Sequence, residues 1–559
     1  MLDFAVDKSF WERVRTSDEF IQHREELFEL YESAFKTEPR SHSHKDILEN
    51  NDGGLWRLQF DQLQSSALMS LIYPENQEYY ENLLKIVWAY LDEYAWGPLG
   101  HFSEYYYGKT PADFDNGLID IFAASVGLSM AEVKNLFKDR FPRLLQDRIS
   151  HEIRRHIIDP YLTRRFFWES HNNNWTAVCT GAVASTLIYE APELYYKNQE
   201  RIHRSMKCYL DSYKSDGMCV EGVGYWSFGF GFFATYAMLE RELTNGEFDW
   251  FKDEKVKEIS KFLQKTFLDK DIIVTYSDTS VKQTYSVGLP HMLRHIYGDE
   301  IEPFTKGASI VVKDNTHFNF ALRSFIYYSE SNIAEEIRKN VTYSVIGSNY
   351  FVKRTSEYGF SAKGGTNGES HNHIDVGTFI LARNNKQIIC DVGAGPYEEG
   401  YHTDKRYTFF HPSAFAHCLP IINGIGQNDR ATDEDAICVY DKENENLSIE
   451  IGPAYRLDYL KSLNRSFKFG EREVTLKDTY IIDGENEIKE RFVSLIEPKI
   501  VGDVVKIDDV SLKNPKGIMP KVTIKEVKAH MSNIGKHNVY LIDYIVPKGD
   551  TTFTLEITM

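Results

Sequence analysis

The stretch Gly364-Gly-Thr-Asn-Gly-Glu-Ser-His-Asn-His-Ile-Asp-Val-Gly377 joins a glycine-rich loop to a β-type segment that carries two histidines. Residues two apart in an extended chain point to the same face, so an extended loop end would turn His371 and His373 toward one site. A second short apolar strand ends on Asp391, and a later segment carries His417. Two imidazoles and one carboxylate from separate strands can form a tetrahedral metal site with one position left for water. The set of four residues therefore predicts a bound metal ion.

The chain before this stretch is helical in pattern from residue 10 to about residue 300. Gly127 is expected to end one helix, and the capping box Ser129–Glu132 is expected to begin the next. Farther on, residues at steps of 3, 4, 4 and 3 form one continuous helix face: Tyr225, Phe228, Phe232, Tyr236 and Leu239. Many helices of similar length with short loops between them favour an α/α toroid or a helical bundle.

The pattern changes between about residues 310 and 340. From there to Met559 nearly every segment is a short strand, and the strands are broken by turns such as Asp-Gly and Asn-Pro. This spacing indicates an antiparallel β-sandwich. No Ser/Gly-rich linker separates the two halves, so we expect them to share an interface, where active sites are common.

Composition sets bounds on function. A chain of 559 residues is expected to form two or three domains. The formal net charge of −19 argues against nucleic acid or an anionic membrane as a partner, because both require a positive surface. Aromatic residues make up 14% of the chain, which suits sugar platforms but is more often core packing.

The cysteines and the N-terminus point to a reducing compartment. Six cysteines show no Cys-x-x-Cys spacing, which favours free thiols. The N-terminus has neither the basic nor the apolar region of a signal peptide, and no apolar window is long enough to cross a membrane. We therefore expect a cytoplasmic protein.

Two polar clusters in the helical half could also carry chemistry. The first is Glu169-Ser-His-Asn-Asn-Asn-Trp175, where three consecutive amides could simply cap the helix that follows. The second is Asp216-Gly-Met-Cys-Val-Glu-Gly-Val-Gly-Tyr-Trp226, where Tyr225 begins the aromatic face and could equally be a core residue. Taken singly, each cluster fits the structural interpretation better than the functional one.

Taken together, these motifs resemble the heparinase II/III-like polysaccharide lyases. The resemblance covers most of the chain and is carried by these stretches: Lys363–Phe379, Asp391-Val-Gly, His417-x-x-Pro-Ile-Ile-Asn-Gly-x-Gly-Gln427, Asn173-Asn-Trp, the Asp216–Trp226 cluster and Asp120-Ile-Phe-Ala-Ala. It implies an α/α toroid over residues 1–320 and an antiparallel β-sandwich over residues 321–559.

The resemblance also implies a reaction, β-elimination at a uronic acid within a polysaccharide or oligosaccharide. By the family pattern, Tyr225 is the general acid, and also the base when elimination is syn. His371 is the alternative base on the opposite face. Asn174, or else Asn173, neutralises the uronate carboxylate. The sugar backbone stays open, because glycosaminoglycans, alginate and other uronates all fit.

A structural zinc ion is the implied cofactor. His373, Asp391 and His417 match the family's zinc ligands, and the ion would brace the loop that presents His371. Family members often have a histidine directly after the catalytic asparagine, but this chain has Trp175 there. The remaining candidates for substrate contact are the following: Arg406, His101, Trp175 and Trp226.

Three alternatives compete with a lyase. A glycoside hydrolase on a toroid would need two opposed carboxylates, for which Glu169 and Glu221 are candidates. A metal-dependent amidohydrolase also uses a His-x-His motif, but it places that motif in a βα barrel, and no βα alternation is present. A non-catalytic sugar-binding protein would need aromatic platforms only.

Overall fold

A computed structural model describes residues 7–43, 45–46, 54–98, 101, 117–279, 285–302, 304–305, 317–334, 336–344, 347, 349–369, 371–401, 403–432, 434–528 and 535–559. Up to residue 326, the described part of the chain is mainly helical. The helices are α1 Lys8–Thr16, α2 Ile21–Ala34, α3 Leu55–Ile72, α4 Gln77–Leu91, α5 Ile121–Leu136, α6 Arg143–Ile153, α7 Asp159–Thr163, α8 Asn174–Glu190, α9 Pro192–Leu210, α10 Val223–Tyr225, α11 Gly231–Leu243, α12 Glu254–Ser260, α13 Phe262–Thr266, α14 Gly288–Tyr297 and α15 Phe318–Ile326.

Polar side chains explain where two helices of the toroid begin. Asp120 begins α5, where its carboxylate accepts a hydrogen bond from Ala123 N at 2.7 Å. Asn173 begins α8 in the same way, accepting from Trp175 N at 3.2 Å. Both side chains satisfy amide groups that a helix N-terminus leaves unpaired. The capping interpretation of the Asn cluster is therefore confirmed, without excluding a second role.

The predicted helix break at Gly127 is wrong. Helix α5 continues without interruption from Ile121 to Leu136, so Ser129–Glu132 does not begin a new helix. A side chain at Gly127 would come within 2.6 Å of Ile157 Cγ1. The glycine is there because two helices pack closely, a requirement that depends on tertiary structure and outweighs helix propensity.

The predicted aromatic face is broken by a π-helical segment. Trp226–Phe230 has π-helical hydrogen bonding between α10 and α11, which shifts the register just after Tyr225. Single π turns inside helices occur often at functional sites.

The C-terminal part is antiparallel β structure. Its strands are β5 Val341–Ser344, β6 Tyr350–Arg354, β7 Gly359–Lys363, β8 Phe379–Arg383, β9 Lys386–Ile389, β10 Pro420–Ile422, β11 Cys438–Asp441, β12 Asn446–Glu450, β13 Leu460–Phe469, β14 Glu473–Ile482, β15 Ile488–Ser494, β16 Lys499–Val501, β17 Val504–Ile507, β18 Val510–Lys513, β19 Pro520–Lys528, β20 Lys536–Val546 and β21 Thr552–Thr558. Two small pairs lie in the helical half: β1 Phe267–Asp269 with β2 Ile272–Ile273, and β3 Phe304–Thr305 with β4 Ile333–Ala334.

The described strands β5 to β21 form three sheets. Strands β5 to β9 form a five-stranded sheet in sequence order. The other two sheets have the orders β10-β15-β20-β19 and β11-β12-β13-β14-β21-β18-β17-β16. The last helix of the helical half ends at Ile326, and the five-stranded sheet begins at Val341.

The five-stranded sheet belongs to two cores. On one face, Val352 and Ile380 pack with the helices. On the other face, Phe351 and Phe379 pack within the β-sandwich. Alternate residues of one strand point to opposite faces, so a single sheet fastens the two halves together. The expected interface is present, and the loops at its edge carry the candidate site.

Among the described helices, none combines the length and the apolar character that a membrane crossing requires.

Candidate active site

The carboxylate of Asp278 lies at the centre of the site. Asp278 is in the segment after β2, on the helical side, and its side chain is fully buried. Its Oδ2 lies 2.9 Å from His371 Nδ1, and its Oδ1 lies 3.1 Å from His373 Nε2. Oδ1 also accepts from Tyr401 Oη at 3.0 Å and from Arg406 Nη2 at 2.8 Å. Burial opposes ionisation, but these donors hold the pKa of Asp278 well below its usual range.

The ionised Asp278 fixes the tautomer of His371. A carboxylate only accepts hydrogen bonds, so the proton of the neutral His371 ring sits on Nδ1 and the lone pair sits on Nε2. The backbone at His371 is left-handed, with φ 53°, a conformation that does not occur within a β-strand. The chain is therefore not extended at His371, yet His371 and His373 do converge on one group, the carboxylate of Asp278.

Tyr225 packs directly on His371. The two ring centroids are 4.2 Å apart and the ring planes differ by 29°. The hydroxyl of Tyr225 lies 3.2 Å from that of Tyr397. Burial, followed by the charge of Asp278, raises the pKa of the Tyr225 phenol above its ordinary value. Tyr225 is therefore a neutral hydroxyl that can donate a proton.

A cavity of about 330 Å³ opens beside Tyr225. We call it the amide cavity. It is bounded by the following residues: Asn172, Asn173, Asn174, Tyr209, Ser212, Tyr213, Met218, Cys219, Val220, Glu221, Tyr225, Gly368 and Glu369. It brings the candidate amides and the candidate acid together, although they come from different helices.

A second cavity, of about 500 Å³, is bordered by His371 itself. We call it the arginine cavity. It is bounded by the following residues: Glu369, His371, Asn372, Thr403, Asp404, Arg406, Tyr407, Asp429 and Arg430. Glu369 borders both cavities.

The other predicted contact residues fall in different places. Arg406 borders the arginine cavity, but it is largely buried and donates from Nε to Asn372 O at 3.1 Å as well as to Asp278. His101 Nδ1 lies 2.8 Å from Asp120, and its ring contacts that of Trp175 with centroids 5.4 Å apart. Neither His101 nor Trp175 borders the amide cavity or the arginine cavity.

The prediction of substrate contact by Trp226 is wrong. Its side chain is fully buried in the helical core, and Nε1 donates to Ile259 O at 3.0 Å. The π-helical register shift turns the residue after Tyr225 into the core, and no sequence pattern signals that shift.

His373, Asp391 and His417 form the predicted metal cluster. Each is fully buried, and ligand atoms from the three lie within 4.8 Å of one another. Within the described part of the chain, neither His373 Nδ1 nor His417 Nε2 has a hydrogen-bond partner. Unpaired buried nitrogens are costly, and a divalent ion would satisfy both of them. His417 Nδ1 lies 2.9 Å from Asp391 Oδ2, so the carboxylate also orients the ring. The donor set fits zinc.

Sequence reasoning missed Asp278, Tyr397 and Tyr401. The one local feature that could have drawn attention to Asp278 is its position shortly after a short apolar strand, β2, in the helical half. Tyr397 and Tyr401 lie beyond Asp391 in a segment that begins Gly393-Ala-Gly-Pro. Their roles come from contacts over more than 100 residues, so residue spacing does not reveal them.

Comparison with known proteins supports the fold. No protein-family model matches the chain, and no curated protein matches it. A heparinase III structure is 12% identical, with a TM-score of 0.62 over 90% of this chain and 76% of that chain. A mutant of the heparan sulfate lyase HepC from Pedobacter heparinus is 11% identical, with a TM-score of 0.58 over 99% of this chain and 90% of that chain. Chondroitin AC lyase of Streptomyces coelicolor A3, in complex with chondroitin sulphate, is 9% identical, with a TM-score of 0.56 over 99% and 82%.

The chain therefore has the fold of these lyases, a helical toroid followed by an antiparallel β-sandwich. The predicted fold class is confirmed, and the resemblance seen in the motifs is confirmed at the level of the fold.

The metal cluster gives a first prediction. Purified protein is expected to contain about one equivalent of zinc by elemental analysis, and His373→Ala should lose it. Because ligands held by a metal contribute to folding stability, the variant should also melt at a lower temperature. His295→Ala, which alters an exposed ring on α14, is the matched control and should keep the metal. Metal-free wild-type protein would contradict the prediction.

Asp278 gives a second prediction. Asp278→Asn keeps the shape of the side chain but turns an NH₂ group toward a former donor, so at least one hydrogen bond is lost. We expect activity to fall by roughly 10²-fold or more, because His371 is no longer oriented. Tyr401→Phe removes a single donor and should cost much less. Turnover at the wild-type rate in a folded Asp278→Asn protein would show that Asp278 has no part in positioning His371.

Proposed function

We propose that the protein is a polysaccharide lyase that cleaves the 4-O-glycosidic bond to a uronic acid by β-elimination. One observation carries the proposal: Tyr225 and His371, from the two halves of the chain, stack at 4.2 Å beside a cavity bordered by three amides. The solved structures that share the fold include a heparan sulfate lyase and a chondroitin AC lyase, whose named polymers contain uronic acid.

Tyr225 supplies the proton to the leaving oxygen. A phenol with a raised pKa is fully protonated near neutral pH, as a general acid must be before the reaction. The same shift makes its phenolate scarce, so Tyr225 is a poor base in the free protein. The electrostatics therefore favour separate acid and base residues over a single tyrosine that performs both steps.

His371 removes the C5 proton. Asp278 holds the Nδ1 proton, so Nε2 is the basic nitrogen, and the positive charge that forms on the ring is stabilised by the same carboxylate. This arrangement follows the logic of other His–Asp pairs in catalysis, where the carboxylate orients the imidazole without taking its proton.

The amides neutralise the uronate carboxylate. Removal of the C5 proton places negative charge next to that carboxylate, and hydrogen-bond donors aimed at it lower the barrier. Asn173 uses its Oδ1 as a helix cap, which directs its NH₂ group to other partners, and Asn174 borders the same cavity. Arg406 is committed to Asp278 and to Asn372 O, so the amides carry this role.

The step balances without a further reactant. His371 Nε2 takes the C5 proton, the electrons of the C5–H bond form the C4=C5 double bond, and the C4–O bond breaks. The leaving oxygen takes the Tyr225 proton. The products are a new hydroxyl end and a 4,5-unsaturated uronate, and proton transfer through water restores both side chains.

Zinc held by His373, Asp391 and His417 would brace the loop that carries His371. His373 donates to Asp278 through Nε2, so a ligand on its Nδ1 would fix the tautomer that this hydrogen bond requires. The chain's own residues perform every proton transfer.

The hydrolase alternative is weaker. Glu169 forms a short ion pair with Arg201 at 2.5 Å and accepts from Phe166 N, so it is part of the helix framework. Glu169 does not border the amide cavity, so the candidate pair Glu169 and Glu221 does not face one site as hydrolysis would require.

Replacement of the proposed acid tests the proposal. Wild-type protein should produce the ultraviolet absorbance of an unsaturated uronate from at least one polymer in a panel of glycosaminoglycans and alginate. Tyr225→Phe removes only a hydroxyl, so stability should be retained while activity falls by roughly 10²–10⁴-fold. Tyr196→Phe, at an exposed tyrosine on α9, is the matched control.

His371→Ala separates the two stereochemical routes. It should abolish cleavage where the base acts from the face opposite Tyr225, and only weaken it where Tyr225 acts as both acid and base. Near-wild-type turnover by Tyr225→Phe on a cleaved polymer would end the mechanism as written.

A further inference from the structure

An arginine lies inside the apolar core of the β-sandwich. Arg465 on β13 is fully buried, and the residue opposite it on β14, Asp478, is fully buried as well. Leu463 and Phe467, two residues to either side of Arg465, point to the same face and belong to the sandwich core. A buried ion pair is rarely more stabilising than apolar side chains of similar volume, because both charges lose their hydration. The stability of the sandwich therefore does not account for this arginine.

Each nitrogen of the Arg465 guanidinium has an acceptor. Nε donates to Asp478 Oδ1 at 2.9 Å, and Nη2 donates to Asp478 Oδ2 at 2.6 Å. The third nitrogen, Nη1, donates to Gly377 O at 2.9 Å and to Cys418 O at 2.5 Å. The carboxylate thus fixes one edge of the guanidinium, and a single nitrogen at its other end binds two backbone carbonyls.

The two carbonyls belong to the segments that carry two candidate metal ligands. Cys418 directly follows His417, and Gly377 lies four residues after His373. The hydrogens of a guanidinium nitrogen have fixed directions within one plane, so two carbonyls that accept from the same nitrogen are held at one separation. The guanidinium therefore fixes the spacing of the two histidine segments.

The charges around Arg465 leave Nη1 to these neutral acceptors. A second carboxyl group, that of Glu490 on β15, lies 3.5 Å from Arg465 Nη2. Burial, followed by the charge of Asp478, raises the pKa of Glu490 well above its usual range. Tyr480 Oη donates to Glu490 Oε1. One ion pair, between Arg465 and Asp478, thus remains in the core.

We propose that Arg465 is a positioning residue for the metal centre: it holds the His373 and His417 segments at the spacing at which their unpartnered ring nitrogens share one ion. This inference rests on the metal centre in the proposed function and is independent of the elimination reaction. A planar guanidinium can hold two carbonyls and a carboxylate at once, whereas an ammonium group on a flexible stem has no such fixed geometry. Loss of the guanidinium should therefore weaken the hold on the ion.

Arg465→Lys tests the proposal, because it keeps the positive charge and removes the planar group. The rate at which excess chelator removes zinc from the purified protein is measured with a metal indicator, below the melting temperature. Arg465→Lys should release zinc about tenfold or more faster than wild type, the scale found when groups that orient metal ligands are altered. Cys418 N also donates to Thr378 Oγ1 at 3.2 Å, so the two segments stay joined in the variant.

Arg323→Lys is the matched control for a general loss of stability. Arg323 is buried in the helical half, where Nη1 donates to Glu132 Oε1 at 2.8 Å and to Asn319 O at 2.9 Å. The same substitution there should lower the melting temperature and leave the rate of zinc release unchanged. A purely structural role for Arg465 predicts equal effects of the two substitutions on zinc release.

Asp478→Asn replaces Arg465→Lys if that variant does not fold. An asparagine oxygen can accept from only one of Nε and Nη2, and Glu490 can ionise in place of Asp478, which keeps the cluster neutral. This variant should also release zinc faster than Arg323→Lys.

Three results overturn the proposal. They are zinc release at the wild-type rate from the folded variant, equal acceleration in Arg323→Lys, and wild-type protein that binds no zinc. None of them bears on the elimination reaction, because the absorbance of an unsaturated uronate reports that reaction separately.

Discussion

The buried carboxylate of Asp278 is the constraint on which the arrangement of the site depends. A charge removed from water costs several kcal/mol unless hydrogen bonds replace its hydration. Here the donors come from two separate segments: His371 and His373 lie between β7 and β8, and Tyr401 and Arg406 lie between β9 and β10. If either segment moved away, the buried Asp278 carboxylate would lose hydrogen bonds that replace its hydration. One residue of the helical half therefore holds two loops of the β half in place, next to the contact between Tyr225 and His371.

The β-sandwich supports the same loops from behind. Arg465 is fully buried and pairs with Asp478 at 2.6 Å. It also donates to Gly377 O at 2.9 Å and to Cys418 O at 2.5 Å. Gly377 lies four residues after His373, and Cys418 directly follows His417, so both bonds hold segments that carry candidate metal ligands. From the helical side, Thr275 Oγ1 donates to Asp391 O at 3.2 Å. The candidate site therefore rests on loops that are fastened at both ends, which suits reacting groups that must stay within fractions of an ångström.

Much of the fold was predictable, because the spacing of apolar residues along the chain distinguishes helices from strands. The change from helical to alternating patterns located the two halves, and the types and order of His373, Asp391 and His417 anticipated a cluster that the structure brings together. The failures share one cause. Gly127 and Trp226 were assigned from local rules, but close packing against Ile157 and a π-helical shift decide their environments. Asp278 was missed because its partners lie about 100 residues away, and only the folded chain shows that they converge.

The central claim is that the protein breaks a sugar–oxygen bond by elimination, without consuming water. Mass spectrometry of the products of a cleaved uronate oligosaccharide, formed in water labelled with heavy oxygen, tests this most directly. Elimination should give one unsaturated fragment, lighter by one water molecule than its saturated equivalent, with no label at the cleavage site of either fragment. Saturated fragments that carry the heavy oxygen would identify hydrolysis and contradict the account.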